Sequence, residues 1–342
     1  MADDPGKSSI VSGLTGLTIF ESNLIRVRLD TDKCNPLFYY YWLKSRYGKY
    51  AIDSLMTGTS IKGIRGSDLN KVVVPFPDVC IQSNIVSKLR SIDYRVSLLH
   101  QINDNLSAQL TTVFNKMFAP MIDFEPIIEP NSGWHQETIE SISEEIGIGP
   151  FGSNIKVETF VEEGIPVISS IHLNDRIMEE KNYNYITKEH ANTLKRSIVH
   201  SGDIVFTHAG NIGQVSIIPE LTKYDYYVLS QRQFFLRCNK NIISPLIMVE
   251  YFRSSKGQYE LLSNASQTGV PSIARPTTHL KSISVLIPPK ELQNKYEQFA
   301  SSICTQICNH RKEIDSLSLI RDYILPKLMS GEIDVSTLEI PN

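Results

Sequence analysis

The sequence predicts an α+β protein: mixed α/β domains joined by two long helices that pack as an antiparallel coiled coil. Three observations predict it. They are a pair of apolar stripes at helical spacing, an internal repeat of mixed helix and strand signals, and a proline-rich joint between the copies.

The stripes come first. Between residues 81 and 117 apolar side chains fall at Ile81, Ile85, Leu89, Ile92, Val96, Leu99, Ile102, Leu106, Leu110, Val113 and Met117. Every step is three or four residues, which makes one face of a long helix. Residues 292 to 328 repeat the pattern with Leu292, Tyr296, Phe299, Ile303, Ile307, Ile314, Leu317, Ile324 and Leu328, and His310 stands at a seam position. Such a helix spans about 55 Å at 1.5 Å per residue, more than one small domain covers, so the pair reads as a spacer. The chain turns back through a whole domain between the stripes, so they face each other antiparallel.

The repeat comes second. Gly6-Lys-Ser-Ser-Ile-Val11 matches Gly213-Gln-Val-Ser-Ile-Ile218 (213 − 6 = 207), and Gln82 matches Gln293 (293 − 82 = 211). Between them Ser45-Arg-Tyr-Gly-Lys-Tyr50 matches Ser254-Ser-Lys-Gly-Gln-Tyr259, and Thr57-Gly58 matches Thr268-Gly269. Each copy predicts a β-rich run, an aromatic helical segment after a proline (residues 36–50 and 245–262) and a Thr-Gly turn. A β-branched strand ending in proline (Val72-Val-Val-Pro75 and Val285-Leu-Ile-Pro288) and the long helix follow. The second copy reaches back to Trp134, whereas the first lacks about 74 of those upstream residues.

The predicted organisation is a partial first domain at residues 1–78, a spacer helix at 79–120, a complete second domain at 121–290, a second spacer helix at 291–332 and a tail at 333–342. The joint is Ala119-Pro-Met-Ile-Asp-Phe-Glu-Pro-Ile-Ile-Glu-Pro130. Within the second domain, residues 137–146 predict a short amphipathic helix that stops at the glycine-rich residues 147–155. Strands are predicted at residues 165–168 and 204–206, the latter after a Ser201-Gly-Asp203 turn.

At 342 residues and 41% hydrophobic content, the composition is that of a soluble globular chain with room for about two domains. No apolar run approaches the length of a membrane span and the first residues lack the order of a signal peptide, which predicts a cytoplasmic protein without membrane association. Net charge is −3, from 34 basic and 37 acidic residues, so any nucleic-acid contact rests on a local basic surface. The five cysteines are scattered, and Cys304 and Cys308, one helical turn apart, make neither a metal nor a redox motif.

No catalytic constellation emerges. Gly147-Ile-Gly149-Pro-Phe-Gly152 has the spelling of a dinucleotide loop, but a predicted helix precedes it and extended chain follows, so it reads as a structural or contact loop. Asp4-Pro-Gly6-Lys7-Ser8 lacks the first glycine and the lead-in strand of a phosphate loop. Asn35-Pro36-Leu37-Phe38 lacks the second proline of an adenine methyltransferase motif and reads as an N-capped helix start. Glu179-Glu180-Lys181 behind Asp175 reads as a solvated turn, and neither HExxH nor GxSxG occurs.

What remains is a pair of polar loops at corresponding places, residues 57–67 and 267–275. They carry Thr59, Ser60, Lys62 and Arg65 in the first copy and Thr268, Ser272 and Arg275 in the second. Hydroxyls and cations on short loops suit contact with phosphates and base edges.

Taken together the chain resembles the specificity (S) subunit of type I restriction-modification systems. The resemblance is carried by Gly149-Pro-Phe-Gly-Ser-Asn154, Gly164-Ile-Pro-Val-Ile168, Gly202-Asp-Ile-Val-Phe-Thr207 with Gly210-Asn-Ile-Gly213, and the closing Ile320-Arg-Asp-Tyr-Ile-Leu-Pro-Lys-Leu-Met-Ser-Gly-Glu-Ile333. It implies two target-recognition domains, each reading half of a bipartite site in double-stranded DNA, held apart by the helix pair. On this resemblance Ser153, Asn154, Lys156, His208, Asn211, Gln231 and Arg232 join the candidate DNA-contacting residues. It further implies a subunit without catalysis or directly bound cofactor. Methyltransferase subunits would use S-adenosylmethionine, a restriction subunit would use ATP and magnesium, and the complex would serve in phage defence.

The truncated first domain departs from that pattern and leaves three origins open: a rearranged gene, a complementing S fragment, or a homodimer. Two other function classes stand beside the leading one. The DNA-reading half of a fused modification enzyme would need methyl-donor motifs that are absent, and a coiled-coil interaction protein without DNA contact would show no salt-dependent DNA binding.

Overall fold

The computed structural model describes residues 6–13, 16–56, 63–266 and 269–337. Its first helices are α1 (Pro36–Lys44), α2 (Arg46–Asp53), α3 (Gly66–Leu69), α4 (Val79–Met117) and α5 (Ala119–Ile122). Strands β1 (His135–Thr138), β2 (Ser143–Ile148), β3 (Ile165–Ile168) and β4 (Asn184–Ile186) follow, then α6 (Lys188–Thr193). Next are β5 (Ile198–Val199), β6 (Ile204–Thr207), β7 (Val215–Ile217), β8 (Tyr227–Leu229) and β9 (Gln233–Cys238). The chain ends through α7 (Pro245–Arg253), α8 (Ser255–Leu262), β10 (Ala265–Ser266), β11 (Ser272–Ile273), α9 (Pro276–Ser282), β12 (Ser284–Ile287) and α10 (Lys290–Ser330). The fold is α+β, as the periodicities predict, and the two stripes form the two longest helices, of 39 and 41 residues. The chain forms two compact units, Met1–Ile102 with His310–Asn342 and Asn103–Asn309, and each long helix gives one half to either unit.

In the first unit, Asn35 starts α1 by accepting a hydrogen bond from Leu37 N at 3.0 Å, with Pro36 at the first helical position. Ser45 ends α1 and caps α2, its hydroxyl donating to Trp42 O (2.7 Å) and accepting from Gly48 N (3.3 Å). Phe38 and Trp42 pack on Leu89 and Ile92 of α4 and on Leu325 and Leu328 of α10. The halves of α4 and α10 here run antiparallel: Arg95 meets Glu313 at 2.6 Å and Asp93 meets Arg321 at 2.9 Å. Tyr41 adds a bond from its hydroxyl to Asp93 at 2.6 Å. In the second unit the other halves also pack together, with Phe114 of α4 edge-on to Tyr296 of α10 at 5.9 Å between ring centroids.

The second unit repeats this frame. Ser254 separates α7 from α8 and accepts from Gly257 N at 3.1 Å, as Ser45 does from Gly48. The buried twin glutamines do the same work: Gln82 Nε2 donates to Pro77 O (2.8 Å) and Gln293 Nε2 donates to Pro288 O (2.9 Å). They fix Pro77 against Pro288, so the register between the copies is two residues off the Pro75 to Pro288 match that the sequence predicts.

The second unit carries all of the named strands. A four-stranded sheet runs β2-β9-β6-β7, entirely antiparallel, and a second runs β4-β3-β8-β5, with β3 and β8 parallel. β1 pairs with β12, and β10 with β11. Side chains alternate across β9. Phe234 and Leu236 enter the core shared with α7 and α10, and Phe235 enters the core between the two sheets.

Three expectations fail here. Residues 137–146 form β1, a turn and β2 rather than an amphipathic helix. Their Ile139, Ile142 and Ile146 have helical spacing, but Ile139 and Ile142 are fully buried on either side of a tight turn that carries the chain from one sheet to another. Residues 72–75 are not a strand, and among the described residues before α1 the expected β-rich run is not one either. In the second unit β12 pairs with β1 and β9 pairs with β2 and β6, and all three partners lie within residues 134–207, which have no counterpart in residues 6–78. A strand without a neighbour has no ladder to form.

Candidate nucleic-acid interface

Four loops of the second unit meet at one place through backbone bonds. The loop after β2 (residues 149–156) joins the β8–β9 turn because Gly149 N donates to Gln233 O at 2.8 Å. A β-carbon on Gly149 would stand 1.8 Å from Ser230 O, so only glycine permits this approach. The β8–β9 turn joins the β6–β7 loop because His208 N donates to Arg232 O at 2.9 Å. The β6–β7 loop joins the β10–β11 hairpin, since Gly210 N donates to Pro271 O (2.9 Å) and Ile273 N donates to His208 O (2.8 Å). Ala209 and Ser272 complete an antiparallel bridge.

Side chains lock the arrangement. The amide nitrogen of Gln231 donates to Gly152 O and to Ile155 O, the latter at 3.1 Å. His208 is half-buried, and its Nε2 lies 3.1 Å from Gln231 O, a pure acceptor, so the proton sits on Nε2. Burial holds its pKa below the ordinary histidine range, so the ring is neutral at neutral pH.

The structure therefore gathers most of the second-copy candidates. Asn154, Lys156, Asn211, Arg232 and Arg275 are exposed, and Ser272 is half-buried in β11. Ser153 lies with Asn154 in a short 3-10 turn. The Arg232 guanidinium lies over Gly210, 3.4 Å from where a β-carbon would stand. Arg275 is left-handed at φ 45° and opens α9. Gln231 and His208 face inward with their nitrogens and position the loops. The four loops contain Lys156, Arg232 and Arg275 but no aspartate or glutamate, against a whole-chain charge of −3. The loops themselves are thus positive in a protein that is negative overall.

In the first unit Arg65 is exposed and opens α3, as Arg275 opens α9. Thr59, Ser60 and Lys62, and Thr268 in the second copy, lie outside the described residues. Gly147-Ile-Gly149-Pro-Phe-Gly152 does follow a strand, contrary to expectation, but it leads into a 3-10 turn and no long helix, so it still lacks the frame of a dinucleotide site. Phe151 escaped sequence reading: it is 73% exposed at the tip of this loop, and its signal is an aromatic between Pro150 and Gly152. Gln214 also escaped it, donating to Ser170 O (3.1 Å) and Asn174 Oδ1 (3.2 Å) and so bracing the β6–β7 loop. Among the described residues no group of histidines, cysteines and carboxylates could hold a metal ion.

The family model of the type I restriction modification DNA specificity domain matches residues 13–108. Over nearly its whole length the chain is similar to type I restriction specificity subunits. It is 23% identical over 321 residues to the MjaIX specificity subunit of Methanocaldococcus jannaschii, covering 88% of this chain and 70% of that one. It is 22% identical over 348 residues to the EcoBI specificity subunit of Escherichia coli, covering 92% and 69%. Its fold is similar to the crystal structure of the S subunit of a type I restriction-modification system from M. genitalium, with a TM-score of 0.52 and 21% identity over 88% of this chain and 74% of that one.

Proposed function

We propose that the chain is a non-catalytic DNA-recognition subunit that directs methyltransferase and restriction subunits to a target site in double-stranded DNA. The observation that carries this reading is the meeting of four loops of the second unit whose own residues include no carboxylate and which carry Asn154, Asn211 and Ser272 with Lys156, Arg232 and Arg275. Cations anchor phosphates there, amides and hydroxyls read base edges, and Phe151 meets the groove. The helix pair is the docking surface for the methyltransferase subunits. S-adenosylmethionine, ATP and magnesium belong to the partners, and the complex works in the cytoplasm.

The test uses the full chain with duplex DNA at several salt concentrations. Three phosphate-neutralising cations give a log–log slope of about −3. Arg232→Ala combined with Lys156→Ala moves the slope toward zero by about 2. An unchanged slope overturns the assignment of this face. Mapping methylated sites in cells that carry the chain with its methyltransferase then shows whether the site is bipartite, single or palindromic.

A further inference from the structure

The loop that follows β2 carries a phenylalanine at its tip, and the backbone on both sides of that residue is fixed. Gly149 and Pro150 before it are buried, and Gly149 N donates to Gln233 O at 2.8 Å. Proline locks its own φ, so the chain reaches residue 151 along one course. Just past the tip it turns at Gly152, which is left-handed at φ 63°. Three carbonyls beyond Phe151 then accept side-chain donors from other elements. Gly152 O and Ile155 O accept from the Gln231 amide, and Asn154 O accepts from Nε2 of His190 in α6 at 2.8 Å. Phe151 itself sits in relaxed extended backbone (φ −81°, ψ 154°) and is 73% exposed.

Single exposed apolar side chains are ordinary on a protein surface. Phe151 differs in its mount, because the residues around it are bonded in place while its ring stands in solvent. A side chain held this way loses little further freedom on contact, which is the property of a preorganised anchor.

We propose that Phe151 is a specificity-determining contact that recognises the 5-methyl group of thymine in duplex DNA. The proposal rests on the DNA-reading assignment of the four loops and deepens it, because it names what one side chain reads.

Chemistry selects the methyl group. The candidates on these loops are amides, hydroxyls and cations, whose partners are phosphates and the hydrogen-bonding atoms of base edges. A phenyl ring offers no hydrogen bond. On the floor of a groove the four bases present one apolar group, the thymine methyl in the major groove. Charge places the ring with the duplex as well. Lys156 follows on the same loop, and Arg232 lies between Gln231 and Gln233, the two residues to which the loop is bonded. The ring and a cation therefore belong to one braced assembly.

The test uses the full chain and duplexes of random sequence. Duplexes retained by the parent chain are copied with dTTP or with dUTP, so the two pools differ only in their 5-methyl groups, and neither contains methylated cytosine. The parent is expected to bind the thymine pool about fourfold more tightly, the fold-change that one buried methyl gives. Phe151→Ala is expected to lose most of that ratio with its salt slope unchanged, and Phe151→Leu to keep a preference for thymine. Leu221→Ala, at an exposed apolar residue between β7 and β8, is expected to keep the parent's ratio. Equal ratios in the parent and in Phe151→Ala, with salt-dependent binding intact, overturn the proposal and leave the DNA-reading assignment standing. A ring that wedges between base pairs gives that result together with weaker binding to both pools. Absence of salt-dependent binding in the parent overturns both.

Discussion

At the scale of the residue, the candidate interface separates side chains that face outward from side chains that hold loops. Arg232 touches solvent above Gly210, whereas Gln231 beside it spends its amide on the carbonyls of Gly152 and Ile155. Arg232→Ala is expected to weaken DNA binding by about 1–3 kcal/mol if it forks onto a base, leaving amide exchange in residues 150–156 unchanged. Gln231→Ala is expected to speed hydrogen exchange in residues 150–156 before any DNA is added, because two carbonyls lose their donor. Equal effects of the two substitutions on exchange would refute the division. Sequence alone made both residues candidates, since a polar side chain in a loop looks the same whether its nitrogen faces inward or outward. The meeting of the loops that carry Lys156, Arg232 and Arg275 was out of reach for the same reason: it depends on His208, Ala209 and Gly210 bonding to turns far away in the chain.

At the scale of the element, spacing and chemistry were legible where they are local. The long helices and the Asn35 cap follow from periodicity and capping, whereas the single helical segments expected at residues 36–50 and 245–262 are each broken in two at a capping serine, Ser45 and Ser254. Strand partnership is not local, which is why residues 137–146 could pass for a helix and residues 72–75 for a strand. The break between paired helices also explains a shared glycine. A β-carbon on Gly48 would stand 2.1 Å from Trp42 O, and one on Gly257 would stand 1.9 Å from Tyr251 O. Gly257→Ala is expected to cost about 1–3 kcal/mol, read as a lower denaturant midpoint, and Gly48→Ala a similar amount in the first unit. A midpoint shift within error would show that the helix pair opens freely. One element contact has no apolar substitute in place: Arg176, 2.6 Å from Glu250 of α7 and bonded through its other guanidinium nitrogen to Thr111 of α4 at 2.9 Å, is buried together with that carboxylate. Burial raises the Glu250 pKa, and the Arg176 charge opposes that rise. Arg176→Met strands the acid and is expected to destabilise the second unit by about 3–5 kcal/mol, with restoration in the Arg176→Met, Glu250→Leu pair. A single variant as stable as the parent would sink this.

At the scale of the whole molecule the two units differ in their response to acid, because the histidines with lowered pKa values belong to one of them. His172 and His208 both lie in Asn103–Asn309, and burial depresses both. His172 is buried, stacks on Tyr183 at 4.5 Å and accepts a bond from Ser169 N at Nδ1 (2.9 Å), an acceptance that protonation would destroy. A histidine whose folded pKa lies below its unfolded value of about 6.5 binds fewer protons in the folded state. Its stabilising contribution is therefore complete above that unfolded value and is lost as pH falls through it toward the folded one. Glu250, whose pKa is raised, works the other way, gaining stability as pH falls, so the net slope of the parent is a difference of the two effects. His172→Asn removes the first effect and keeps an acceptor for Ser169 N, and Glu250 is common to both proteins. Between pH 7.5 and 5.5, the melting temperature of the second unit is expected to fall less steeply in His172→Asn than in the parent, from a lower starting value because the ring stacking is gone. Parallel slopes would show that His172 is solvated and titrates as it does in the unfolded chain.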